Sequence, residues 1–82
     1  MIRDYVALDL ETTGLSPRKD TILEIGAVRV KDMKVQDQYA ALINPGFPIP
    51  ERITALTGIS DEMVKTERDE RTVVEEFLEF CG

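Results

Sequence analysis

Along "DYVALDLE", residues 4–11, every second side chain is apolar: Val6, Leu8 and Leu10 share one side of an extended chain. Tyr5, Ala7, Asp9 and Glu11 share the other, because side chains alternate along a strand. A run this apolar predicts a buried strand. "TILEIGAVRV" at 21–30 is rich in Ile and Val and long enough for a second strand. "KDMK" at 31–34 is a polar connector of hairpin length, and "VQDQYAALIN" at 35–44 follows as a third strand. Between the first two strands, "TGLSPRKD" is a loop by its turn chemistry, with Gly14, Ser16, Pro17 and Asp20.

The spacing then changes. "PGFPIP" at 45–50 cannot continue a ladder, because proline donates no hydrogen bond. "ERITALTG" at 51–58 predicts a short helix stopped by Gly58. Ser60 before Asp61, Glu62 and Met63 reads as an N-cap and an acidic first turn. "RTVVEEFLEFCG" at 71–82 is the clearest helix, with Val73, Val74, Phe77, Leu78 and Cys81 on one face and Gly82 closing it. The expected fold class is α/β, a three-stranded antiparallel meander followed by two or three helices. Helices on one face of three strands leave the other face open, so the expected architecture is partial.

Composition narrows the functional classes. The 82 residues make one small domain or part of a larger one, 43% hydrophobic and 32% charged. No apolar stretch approaches the roughly 20 residues of a membrane span. The start, Met1-Ile2-Arg3-Asp4, lacks signal-peptide character, which makes a cytoplasmic protein the expectation. With no His and one Cys, the chain holds neither a classical zinc cluster nor an internal disulfide, and Cys81 is expected as a partly buried thiol. The net charge of −6 argues against a broad basic nucleic-acid footprint. Phosphate contacts made through divalent metals would escape that argument, since the ions reverse the local charge.

The chemistry concentrates in "ALDLETTGLSP". Carboxylates at i and i+2 of a strand point to the same side, about 6.5–7 Å apart. Both are hard oxygen ligands suited to Mg²⁺ or Mn²⁺. Two such ions about 3.5–4 Å apart can clamp a phosphodiester for in-line displacement. Thr12, Thr13 and Gly14 supply hydroxyls, N–H groups and a bare backbone for close approach of a nucleotide, and Leu15 an apolar group to pack on a base. The plainer alternative is a surface or turn-initiating pair of acids. Elsewhere the plain reading dominates: Glu24 as a charge on the less buried side of its strand, Tyr5 and Tyr39 as packing residues, and Arg18 and Lys19 as solvated loop charges. "KTERDER" at 65–71 reads as a solvated connector. Thr57-Gly58-Ile59 is divided evenly between a substrate-groove role and a helix cap with a core residue.

"YVALDLETTGLSP", "DTILEIGAVRV" and "INPGFPIPERITALTGISDEMV" resemble, in order and spacing, the N-terminal half of the DEDD-type 3′–5′ exonucleases, above all the proofreading epsilon-type subunits and domains of bacterial DNA polymerase III. The resemblance runs from about residue 4 to the end. It implies a ribonuclease-H-like fold, here residues 1–82 without the later strands. It implies two catalytic Mg²⁺ or Mn²⁺ ions on Asp9 and Glu11, with Thr12, Thr13, Gly14 and Leu15 against the terminal nucleotide. The partner it implies is a single-stranded or frayed 3′ end of DNA, with RNA not distinguished, and a polymerase as separate subunit or fused domain. The family also uses two further acids and a general-base His or Tyr beyond the last helix, which these residues do not include. The 82 residues alone are therefore expected to be inactive. The alternative is a non-catalytic remnant or interaction module, dimeric through the exposed edge of the first strand.

Overall fold

The computed structural model describes residues 3–14 and 20–82. Strand β1 (Tyr5–Thr12), β2 (Ile22–Lys31) and β3 (Lys34–Leu42) form one antiparallel sheet in the order β1-β2-β3. Three helices follow: α1 (Glu51–Thr57), α2 (Asp61–Val64) and α3 (Glu70–Cys81). The β2–β3 hairpin turns on Asp32 and Met33, both at positive φ (50° and 66°). Such a two-residue turn matches the right-handed twist of the strands.

Directly opposed residues share a face, so the register sorts the sheet. Leu10 lies opposite Ile25 and Leu8 opposite Ala27 on one face. Asp9 lies opposite Gly26 and Glu11 opposite Glu24 on the other. The helices cover the first face in two adjoining clusters. Leu23, Ile49, Ile53, Ile59 and Val64 bring α1 and α2 onto the start of β2. Ile25, Ala27, Ile43, Val73 and Phe77 seat α3 on the middle of the sheet. Phe80 completes the aromatic side of that seat beside Tyr39 and Phe77, with the Arg29 guanidinium 4.7 Å from its ring centroid.

Two expectations change here. The first strand is not buried: it is an edge strand, and Leu8 and Leu10 keep 50% and 40% of their surface exposed. The reason is where α3 lies, in contact with β2 and β3. The apolar seam of α3 is also rotated from the one expected. Val73 and Phe77 are buried and Phe80 partly so, whereas Leu78 and Cys81 are exposed. Residues 73, 77 and 80 keep the i, i+4, i+7 spacing of one helical stripe, and Leu78 falls off it.

"KTERDER" is more than a solvated connector. Asp69 caps α3 by accepting the Thr72 N–H at 2.9 Å, and hydrogen bonding to the Thr72 side chain, then to this N–H, holds its carboxyl below the usual range. The Arg68 guanidinium donates twice to Glu76, at 2.6 and 3.0 Å, and the Tyr39 hydroxyl donates to the same carboxylate at 2.7 Å. Arg68, then Tyr39, hold Glu76 down to about 2. Partial burial, then Glu76, push the Tyr39 phenol up. This triad ties β3, the connector and α3 together.

Candidate active site

Asp9 and Glu11 sit on the sheet face that no helix covers. Asp9 is exposed and Glu11 half-buried, so neither carries the desolvation cost that a buried strand would impose. The surroundings of Asp9 are small. Gly26 is its cross-strand partner, and Ala40 follows in the same row on β3. A Cβ placed on Gly26 would meet nothing within 4 Å. Asp9 thus stands over a low floor with Ala7 beside it, open to a large ligand. The next row sets Glu11 directly against Glu24, and like charges so opposed repel. A cation above this face would relieve that repulsion.

The donor set suits a hard divalent ion in chemistry: carboxylate oxygens on an accessible, unobstructed face. Its number is small. Among the described residues no group of three or more His, Cys, Asp or Glu is placed to hold a metal. Asp9 Oδ1 accepts the Leu10 N–H at 3.1 Å, which orients the carboxylate from its own backbone.

The chain leaves β1 through a tightly held loop. The pairing of β1 with β2 breaks register between Glu11 and Thr12, so that Thr12 lies opposite Ile22. Thr13 is 1% exposed. Its hydroxyl donates to Asp20 Oδ1 at 2.8 Å and accepts the Thr21 N–H at 3.0 Å, while its own N–H donates to the Thr21 carbonyl at 2.9 Å. The Thr12 hydroxyl donates to the Gly14 carbonyl at 2.7 Å. Gly14 has a structural need to lack a side chain: a Cβ there would lie 2.6 Å from Asp20 Oδ2. Far along the chain, the Glu70 carboxylate accepts the Ile22 N–H at 2.7 Å and the Thr21 hydroxyl. The start of α3 thereby anchors the base of the loop that follows the carboxylates.

The structure brings Asp9, Glu11, Thr12, Thr13 and Gly14 together at one end of β1. Thr13 is turned inward as the loop's clasp, and Leu15, Arg18 and Lys19 lie outside the described residues. Glu24 stands beside Glu11, on the carboxylate side of the sheet. Gly58, at φ 79°, caps α1 by donating to the Thr54 carbonyl at 2.8 Å, and Ile59 is buried in the core. Thr57 lines a groove of about 540 Å³ between α1 and Glu11, Thr12 and Gly14. The loop-anchoring role of Glu70 had no signal in the chain, since its contacts are 48 and 49 residues away. Asp20 was visible only as a turn residue.

The fold is that of the ribonuclease-H-like exonucleases, as a partial version with three strands and their helices. A sequence profile of the RNase_T family, described as exonuclease, matches residues 6–82, and the chain belongs to that family. The PolC-type DNA polymerase III of Lacticaseibacillus paracasei is 46% identical over 78 residues, covering 95% of this chain and 5% of that protein. The DNA polymerase III epsilon subunit of Aquifex aeolicus is 40% identical over 78 residues, covering 95% of this chain and 39% of that subunit. The solved structure of exonuclease X in complex with 5′ overhanging duplex DNA matches with a TM-score of 0.75 at 29% identity, over 88% of this chain and 42% of that one. The chain spans less than half the length of each of these relatives. Among the described residues no helix is long and apolar enough to cross a membrane.

Proposed function

We propose that this chain carries one part of the active site of a 3′–5′ exonuclease of the DNA polymerase III epsilon and PolC type, which hydrolyses phosphodiester bonds at DNA 3′ ends. The observation that carries the reading is the placement of Asp9 and Glu11. They share the uncovered face of β1, above a floor of Gly26 and Ala40, beside a clasped loop. Asp9 and Glu11 are the residues that would hold Mg²⁺ or Mn²⁺. When bound, such ions neutralise the charge of a phosphodiester and lower the pKa of an attacking water. The two carboxylates supply the anionic, rigidly spaced seat on a strand. The loop at Thr12–Gly14, with Leu15 after it, offers backbone and apolar contacts to the terminal nucleotide, and the Thr13–Asp20 clasp fixes where those contacts fall. A single-stranded or frayed 3′ end is the substrate, presented by a polymerase that shares the chain or binds it, in the cytoplasm.

The test is metal binding. Asp9→Asn and Glu11→Gln are each expected to weaken Mn²⁺ binding at least tenfold, read by calorimetry or water-proton relaxation. At the exposed Asp9 stability should change by no more than about 0.5 kcal/mol, and at Glu11 the loss of repulsion from Glu24 should leave the fold intact. Mn²⁺ affinity unchanged in both variants sinks the reading.

A second reading rests on the edge position of β1 and the exposure of Leu8 and Leu10. Two copies would pair their β1 edges into a continuous sheet as a non-catalytic module. Light scattering across a concentration series decides it: a monomer at every concentration removes this reading.

A further inference from the structure

Arg52 occupies an electrostatic position that packing does not account for. It is exposed, in the first turn of α1, and lines the groove of about 540 Å³ across from Glu11, Thr12 and Gly14. Among the described residues it is the one cation in that groove, and it makes neither a hydrogen bond nor an ion pair. Arg68 pairs with Glu76, Arg71 with Glu75, and Arg29 lies over Phe80, whereas Arg3, like Arg52, is exposed without a side-chain partner among the described residues but lies away from that groove. Arg52 and Glu11 line the same groove without forming an ion pair. A guanidinium with all five donors uncommitted is built to take up an anion with planar, multiple oxygens, and phosphate is the anion it fits best.

Resting on the exonuclease reading, we infer that Arg52 binds non-bridging phosphate oxygens of the nucleic-acid strand whose 3′ end lies at Asp9 and Glu11. The groove between α1 and the Thr12–Gly14 loop is then the path of that strand. Asp9 and Glu11 would hold the metal ions that neutralise the phosphate at the 3′ end, and Arg52, across the groove from Glu11, takes another phosphate directly. This arrangement explains how a chain of net charge −6 engages a polyanion: it needs only local cations where the backbone passes.

The experiment is fluorescence anisotropy of a 5′-labelled single-stranded oligothymidylate with the chain, in Ca²⁺, across a salt series. Arg52→Ala is expected to weaken binding about eightfold at about 50 mM salt and to reduce the slope of log K against log salt by about 0.7, the value of one lost single-strand phosphate contact. Arg52→Lys should keep most of the slope. Lys65→Ala, which removes an exposed charge away from the groove, should leave both quantities unchanged. Circular dichroism establishes that each variant is folded, and Arg52→Gln replaces the alanine variant if that one is not. Wild-type binding that Arg52→Ala leaves unaltered overturns this inference and spares the exonuclease reading. Equal losses in the Arg52 and Lys65 variants overturn it too, by showing diffuse electrostatics. No binding by the wild-type chain overturns this inference, while the exonuclease reading stands or falls on Mn²⁺ binding by Asp9 and Glu11.

Discussion

Gly14 illustrates how one residue serves two demands. In the sequence it stands as the bare backbone that a nucleotide approaches. In the fold it is already required by Asp20, whose carboxylate occupies the space of a side chain at position 14. Gly14→Ala must push Asp20 away from the Thr13 hydroxyl, which donates to it at 2.8 Å. Such overpacking costs about 1–3 kcal/mol, so the variant is expected to lower the urea midpoint and to deprotect the Thr13 amide in hydrogen exchange. Stability equal to the wild type would show that Asp20 moves aside freely. Asp9 makes the opposite point. Its face on the strand was readable from alternation alone. The low floor around it was not, because Gly26 and Ala40 come from two other strands.

At the scale of elements, β1 and α3 depart most from expectation, for related reasons. Alternation assigns residues to two faces but does not say what covers either face. Leu8 and Leu10 are on the helix side of the sheet and still half-exposed, since α3 lies against β2 and β3. The seat of α3 is set by Tyr39, Phe77 and Phe80, and its angle is pinned by the Arg68–Glu76–Tyr39 network. That network has a pH signature. The folded-state pKa of Glu76 is depressed to about 2 from its ordinary 4.5. Its contribution to stability is therefore complete above the unfolded value and is lost as pH falls from about 4.5 toward 2. The pair is exposed, so the effect is small and screened by salt. Carboxyl NMR titration should find Glu76 depressed in the wild type and returned toward its ordinary value in Arg68→Ala. A Glu76 that titrates identically in both proteins would remove Arg68 as the cause.

For the molecule as a whole, the described residues hold Asp9, Glu11 and Glu24 on one face and no group of three or more such residues placed to hold a metal. The residues contain no His to act as a general base. General-base catalysis is typically worth 10²–10⁴-fold, and an incomplete ligand set costs more. The polypeptide of residues 1–82 is therefore expected to bind Mn²⁺ weakly and to release no nucleotides from single-stranded DNA. Progressive shortening from the 3′ end by this polypeptide, with activity lost in Asp9→Asn, would show that the site is complete within it.

Much of this protein was legible along the chain because its signals are local. Period-two alternation, which placed Asp9 and Glu11 on one side, depends on backbone geometry within a few residues. So do the hairpin at Asp32 and Met33, the Ser60 cap and the stop at Gly58. Three-dimensional packing alone settled which side of the sheet stays open and that Leu8 and Leu10 on the edge strand β1 are left half-exposed. It also settled that Glu70 reaches Thr21 and Ile22 and that Arg52 faces Glu11 across a groove. Each of these relations joins residues from separate elements, and the free energy that selects them comes from burying Ile25, Val73 and Phe77 together. No stretch of the chain carries that information until the whole of it has folded.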